Sequence, residues 1–242
     1  MRTPATTRLA AFLRLSVACA LVVACGCGGY AQRLESVRVG AESNLVDEAL
    51  DAVDALVVRA ESGRAPHARD LPLLLLERAA LHQARGDHRA AIADLTEADG
   101  LLEVLDLSPD KAGQAAEYLW SGSRSLYRPP VYEKLMVNVL AASSFLALGD
   151  NRAAAVEARR IGVLLEFLGG GDLRDHPMLG AAAYVAGTAM ELAGDATTAA
   201  HFYVQAWASG RPQGLAERLV LASQSNRFAT HPAVAEARVA LG

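Results

Sequence analysis

ARGDHRAAIADLTEA, residues 84–98, decides the fold of this chain, because its Gly-Asp step returns at Gly149-Asp150 and again at Gly194-Asp195. An alanine lies five residues after each glycine, at Ala91, Ala154 and Ala199. Glycine suits the left-handed position that ends a helix, aspartate caps the start of the next helix, and alanine lets two helices approach closely. The pattern therefore predicts three helical hairpins.

Helical periodicity continues on both sides of these steps. Apolar residues recur at three- and four-residue intervals from Val46 to Val57, which is typical of one buried helix face. Similar runs predict helices over about 71–84, 88–105, 131–148, 152–168, 178–192, 197–207 and 214–223. Seven of the nine prolines fall between these runs, and alternating strand patterns are missing from the sequence. The predicted fold class is all-α.

The three hairpin units resemble tetratricopeptide repeats. The third unit has the small residue of the repeat at Gly187 and a large aromatic residue at Tyr203. The matching positions of the first unit hold Leu75, Ala79, Ala91 and Ala98. The resemblance implies antiparallel helical hairpins stacked as a short, irregular tetratricopeptide-like solenoid over residues 43–242.

The spacing between the units is irregular. Successive Gly-Asp steps are 63 and 45 residues apart, whereas an uninterrupted repeat has a period of about 34. We therefore expect an inserted segment over residues 107–134 and a glycine-rich turn at 169–171.

The N-terminus has the layout of a secretory signal. Residues 1–24 contain three arginines and no acid, and they end in an apolar run of ten residues, too short to span a membrane. The run Val22-Val23-Ala24-Cys25 resembles the bacterial lipobox, which implies a signal peptide over 1–24 and a lipidated Cys25. A flexible tether is then expected over 25–42. The alternatives are an ordinary secreted protein cut nearby and a membrane-anchoring leader.

A family resemblance supports the same location. The chain resembles an uncharacterised family of bacterial lipoproteins with tetratricopeptide-like repeats. The resemblance is carried by the lipobox and by residues 76–99, 127–142 and 146–160. The resemblance implies a fold and a place in the cell envelope, and it carries no activity. Gly26 stands where an aspartate commonly marks inner-membrane retention, so we expect the outer membrane, facing the periplasm.

Cysteine usage and charge limit the kinds of protein this can be. Cys19, Cys25 and Cys27 lie in the leader or at its junction, so no disulfide can form within the folded body. Whether Cys27 stays free is open. Loss of the three leader arginines takes the formal charge from −4 to −4 − 3 = −7. This acidic balance, without a basic stripe between aromatic residues, argues against nucleic acid as a partner.

The sequence contains none of the common motifs for catalysis or metal binding. The six histidines form no HxxxH or HExxH pair, and no body cysteine can join them, so we expect no metal and no cofactor. No GxSxG or SxxK motif is present. Glu97, Asp99, Glu103 and Asp106 crowd one region and are interpreted as a solvated face. A non-enzymatic protein is expected; the alternative is a cell-wall or glycan-processing enzyme with an unrecognised site.

Residues 118–133 differ from the rest of the chain in composition. They hold four of its eight tryptophans and tyrosines beside Arg124, Arg128 and a Pro-Pro step. Aromatic residues and arginine are frequent in recognition surfaces, so we predict contact with an envelope protein partner. The candidate partner-binding residues are Trp120, Tyr127, Arg128 and Tyr132. The alternative is that these rings fill a gap where an inserted element packs.

The expected concave face of the repeats is apolar or small. Its positions include Leu76, Ala80, Val139, Ser143, Tyr184 and Thr188. A carboxylate clamp needs lysine, arginine and asparagine there, so none is expected. Such a groove holds either an amphipathic helix of a partner or a helix of the chain itself. Together these features predict a membrane-anchored, periplasm-facing adaptor in cell-envelope assembly or regulation.

Overall fold

The computed structural model describes residues 30–63, 70–102, 131–169, 176–211 and 214–242. Every regular element in these ranges is an α-helix, which confirms the all-α prediction. The helices are α1 Tyr30–Arg33, α2 Glu35–Glu42, α3 Val46–Glu61, α4 Leu71–Arg85, α5 His88–Leu101, α6 Val131–Ala147, α7 Asn151–Gly169, α8 Pro177–Leu192, α9 Ala196–Ser209, α10 Leu215–Ser223 and α11 Pro232–Leu241.

The chain divides into two compact units, residues 1–52 and 53–242. In the first unit, the described part of the expected tether, residues 30–42, forms the short helices α1 and α2. Arg38 supports α2 locally, because it pairs with Glu35 at 2.7 Å and with Glu42 at 2.6 Å along one exposed face. Gly40 lies close to Ala49, where a Cβ on the glycine would be 3.0 Å from the alanine Cβ.

In the second unit, the three Gly-Asp steps adopt the same conformation. Gly86, Gly149 and Gly194 all have left-handed backbones, with φ of 84°, 75° and 87°. At the first step the Gly86 amide donates to the carbonyl of Gln83, and the Asp87 amide donates to that of His82. This pair of bonds is the Schellman motif, and the other two steps repeat it. The predicted role of glycine is confirmed.

Each aspartate caps the helix that follows it. The side chain of Asp87 accepts from the Ala90 amide at 3.1 Å, Asp150 accepts from the Ala153 amide at 3.0 Å, and Asp195 accepts from the Thr198 amide at 3.0 Å. These bonds satisfy amides that have no partner inside the helix. The alanines five residues after the glycines, Ala91, Ala154 and Ala199, are fully buried.

From α4 onward each helix packs against the next one along the chain, through to α11. Contacts also join α4 with α6, α6 with α8 and α9 with α11. A core cluster of buried side chains runs from Leu135 on α6 to Ala237 on α11, and many of its members are alanines. Small residues let the backbones approach, and a Cβ on Gly162 of α7 would be 3.0 Å from the Phe202 ring on α9.

The last helix, α11, was not predicted from periodicity. It is short, and its start depends on His231, whose ring nitrogen Nδ1 accepts from the Ala233 amide at 3.2 Å, while Pro232 occupies the first turn. Ala233, Val234 and Ala237 form its buried face.

Candidate functional site on the exposed face of α7

Most of the residues predicted to be functional lie outside the part of the chain that the structure describes. Cys25, Trp120, Tyr127 and Arg128 belong to this group. Tyr132 is described: it is the second residue of α6, and 41% of its surface is exposed.

Helix α7 has two contrasting faces. Its buried face is rich in alanine and packs against α6 and α8. Its opposite face exposes large apolar side chains, with Val156 at 44%, Val163 at 58% and Phe167 at 52%. No other helix in the described ranges exposes three such side chains. Exposed apolar side chains gathered on one element mark a candidate interaction surface.

Arginines lie along the same face. Arg152, Val156, Arg159, Val163 and Phe167 follow one another at steps of three or four residues, which puts them in one line along the helix. Arg160 lies beside this line and is also exposed. We call these six residues the α7 stripe. Glu166 is the one exposed acid of α7, so the exposed charge of the helix is positive.

A first depression borders the N-terminal half of the stripe and has a volume of about 640 Å³. Its lining residues are Asp150, Arg152, Ala153, Ala155, Val156, Arg159 and Ala193. Nearby Asp195 has a lowered pKa, chiefly because the backbone amide and hydroxyl of Thr198 donate to its carboxylate, with a smaller contribution from Arg159. Asp150 and Asp195 both act as helix caps, and Arg152 forms no ion pair with another residue that the structure describes.

A second depression, of about 260 Å³, lies on the other side of the stripe. It is lined by Asp99 of α5, by Lys134 and Asn138 of α6, and by Arg160, Val163 and Leu164 of α7. Most of the surface it exposes belongs to carbon atoms. We call it the α5–α7 depression. Its composition suits an apolar side chain entering between charged groups.

The charges around the α5–α7 depression are loosely paired. Lys134 Nζ is 3.7 Å from Asp99 Oδ1, and Arg160 Nη1 is 3.8 Å from Asp99 Oδ2, both beyond hydrogen-bond length. Asp99 Oδ1 is buried and has no hydrogen-bond partner among the described residues. Loose pairing leaves the cations able to reorient toward an incoming anion.

Glu157 lies beside this cluster and is largely buried. Burial raises the pKa of its carboxyl group, while Arg160, whose Nη1 is 3.4 Å away, opposes the rise. The carboxylate of Asp99 adds a further small rise. Arg160 therefore lies between two carboxylates, at 3.4 Å from Glu157 and 3.8 Å from Asp99. Sequence reasoning placed Asp99 on a solvated face and did not single out Lys134, Asn138, Glu157 or Arg160.

Two other polar clusters join helices. Arg78 of α4 donates two hydrogen bonds to the buried Asp94 of α5, at 2.9 and 2.6 Å, and a third to Asp54 at 3.0 Å. Gln83 of α4 donates to the carbonyl of Leu140 on α6 at 2.7 Å. Because these groups satisfy one another between packed helices, we interpret them as structural.

The described residues contain no group of three metal-ligating side chains. No helix within the described ranges is both long enough and apolar enough to cross a membrane. Comparison of the chain with protein-family models, with curated proteins and with solved structures gives no match.

Proposed function

We propose that this chain is a lipid-anchored adaptor of the bacterial envelope that binds another protein and catalyses no reaction. A lipid on Cys25 holds it at the outer membrane, facing the periplasm. Its helical body is a short, irregular tetratricopeptide-like solenoid that presents a surface to an envelope partner in assembly or regulation.

The observation that carries this proposal is the order of helix packing. From α4 to α11 every helix contacts its neighbour in sequence, and alternate helices meet at α4–α6, α6–α8 and α9–α11. Helical repeats stack in this way, because each unit buries its apolar face against the next one. The identical Schellman turns at Gly86, Gly149 and Gly194 support the repeat interpretation. Stacked repeats present long surfaces, which proteins use for binding other proteins.

The anchor is supported by the N-terminal sequence. A basic segment without acids, a short apolar run and a small residue before Cys25 are together typical of an exported lipoprotein. Several acyl chains on one residue hold a protein stably, whereas a single chain binds only marginally. A stably tethered body is confined near the membrane, and this raises its effective concentration toward partners there.

Crosslinking in intact cells tests the adaptor proposal. A photoreactive amino acid would be placed at Tyr132 or Val163 in the full-length chain, with Val239 on α11 as an exposed control. We expect a discrete crosslinked protein from at least one of the first two positions. The same product should weaken when Cys25 is changed to serine, because the tether is lost. Absence of any discrete product from both positions in the folded protein would contradict the proposal.

A further inference from the structure

We propose that the α7 stripe binds an acidic amphipathic helix of the partner protein, and that one apolar side chain of this helix enters the α5–α7 depression. This inference rests on the proposed adaptor function and adds the chemistry of the partner. Four observations lead to it.

The first observation is that the fold makes no use of the apolar residues on the stripe. Helix α7 buries its other face through Ala154, Ala158, Ile161, Leu165 and Leu168. Val156, Val163 and Phe167 are about half exposed. Covering them would remove apolar area from water at about 25 cal/mol per Å². A partner gains this free energy on binding.

The second observation is charge complementarity. The body from residue 25 onward is acidic, with a formal charge of −4 − 3 = −7, yet the exposed face of α7 has Arg152, Arg159 and Arg160 against the single acid Glu166. Among the described residues Arg152 makes no ion pair or hydrogen bond, and Arg159 makes an electrostatic contribution to the lowered pKa of Asp195. Such guanidinium groups favour a partner that presents carboxylates.

The third observation is the length and spacing of the stripe. Arg152 and Phe167 are 15 residues apart, which at 1.5 Å per residue is about 22 Å of helix. A partner helix of about four turns matches this length. Val156 and Val163 are seven residues apart, as are Arg152 and Arg159. A helix packed on the stripe, with apolar residues and acids at the same two-turn spacing, would contact the valines with its apolar residues and the arginines with its acids.

The fourth observation is a pocket for an anchor side chain. The α5–α7 depression opens beside Val163, and Val163 and Leu164 form part of its wall together with Lys134 and Arg160. Buried anchor residues in such pockets provide much of the binding energy of an interface. The Nζ of Lys134 lies 3.7 Å from Asp99 Oδ1, beyond hydrogen-bond length, and can turn toward an acid of the partner.

The pattern of the stripe favours a protein helix over a lipid surface. A helix that lies on a membrane buries a continuous apolar face and keeps its cations at the edges. Here arginine and valine alternate along a single line, from Arg152 through Val156 and Arg159 to Val163. A surface with alternating cations and apolar groups is matched by a helix that alternates acids with apolar groups.

The test uses the full-length lipidated chain in nanodiscs of phosphatidylcholine, a zwitterionic lipid without net charge. The probe is a fluorescent 18-residue synthetic helix with leucines at three- and four-residue steps and glutamates beside them. A second peptide has lysine in place of every glutamate. We expect saturable binding of the acidic peptide, and binding at least about tenfold weaker for the basic one.

Variants locate the binding surface. R152E/R159E and, separately, V163S should weaken acidic-peptide binding more than about tenfold, with unchanged helicity by circular dichroism. R238E and V239S on the exposed face of α11 are the matched controls and should leave binding unchanged. Equal binding of both peptides, or loss in the controls to the same extent, would overturn the proposal.

Two further measurements separate other occupants. Stronger binding to vesicles that contain phosphatidylglycerol, lost in R152E/R159E, would assign the stripe to a membrane. Self-association in sedimentation velocity, lost in V163S, would assign it to a second copy of the chain. Either result would overturn the proposal. If the peptide fails while crosslinking in cells still captures a discrete protein, the adaptor function stands and this surface assignment fails. If crosslinking also fails, the adaptor proposal fails with it.

Discussion

Gly187 of α8 lies directly against the ring of Tyr203 on α9, so closely that a Cβ at position 187 would be 2.5 Å from two ring carbons. The ring is fully buried, and its hydroxyl donates to Glu191. Arg218 of α10 donates to the same carboxylate at 2.9 Å and to the tyrosine oxygen at 3.2 Å. One glycine therefore makes room for a contact that joins three helices. Burial, and then the bond to Glu191, raise the pKa of Tyr203 to about 12.

Gly187→Ala should destabilise the fold, because the new methyl group displaces the Tyr203 ring from this network. We expect a loss of about 1 to 3 kcal/mol in the free energy of unfolding, measured by urea denaturation. Gly100→Ala in α5 is the matched control, since nothing lies within 4 Å of a Cβ there. The control should be neutral or slightly stabilising, because alanine favours helix. Equal effects of the two changes would contradict the close contact.

Ala154→Leu and Ala199→Leu should each cost about 1 to 3 kcal/mol, since both alanines are fully buried, Ala154 on α7 and Ala199 on α9. Ala208→Leu on the exposed side of α9 serves as the control. Thermal unfolding followed by circular dichroism measures the effect. Unchanged melting temperatures for both buried variants would show that these positions are not close helix crossings.

Asp195 should make stability depend on pH. Its pKa is lowered in the folded state, chiefly by the Thr198 amide. A lowered folded pKa gives stability that is fully present above the unfolded value and is lost as pH falls through the folded one. The loss should therefore come below the ordinary aspartate value of 3.8.

Two variants isolate this cap. Asp195→Ala should cost about 0.5 to 2 kcal/mol at neutral pH. Asp195→Asn should keep most of the stability that the cap provides, because the amide oxygen still accepts a hydrogen bond. It should also remove the share of the acid-induced loss of stability that comes from protonation of Asp195. Urea denaturation at several pH values compares them. An asparagine variant with the full acid sensitivity of the parent would assign the effect to other carboxylates.

Cys25→Ser should abolish incorporation of labelled palmitate and release the protein from the membrane fraction, because the thioether cannot form. Cys27→Ser should do neither. Density fractionation of the unaltered protein should place it in the outer membrane. Continued palmitate labelling of the Cys25→Ser chain would show that the lipobox assignment is wrong.

Alanine at both Tyr127 and Arg128 should weaken capture of envelope partners more than about tenfold while leaving helicity and melting nearly intact. The measurement is quantitative crosslinking from Tyr132 beside a melting curve of the same variant. Early unfolding with retained capture would make these residues structural and leave the α7 stripe as the binding surface.

The hairpin turns could be predicted because their causes are local. Each turn depends on a left-handed glycine, an aspartate cap and an alanine five residues after the glycine, all within about two turns of helix. Gly149, Asp150 and Ala154 can therefore be recognised from the sequence alone. The same local reasoning missed α11, whose start depends on a histidine cap rather than on a strong apolar period. It also expected a tether where α2 forms, because the pairs of Arg38 with Glu35 and Glu42 were not weighed.

The candidate site depended on tertiary structure. The sequence shows Arg152, Val156, Arg159 and Val163 at helical spacing, but helical spacing is equally compatible with a buried face. Only the packing of α7 against α6 and α8 decided that its alanines point inward and its valines face solvent. Asp99 and Arg160, 61 positions apart, meet because α5, α6 and α7 stack. Periodicity and turn chemistry thus determined most of the elements, whereas the choice of buried face and the contacts between distant residues arose from how those elements pack.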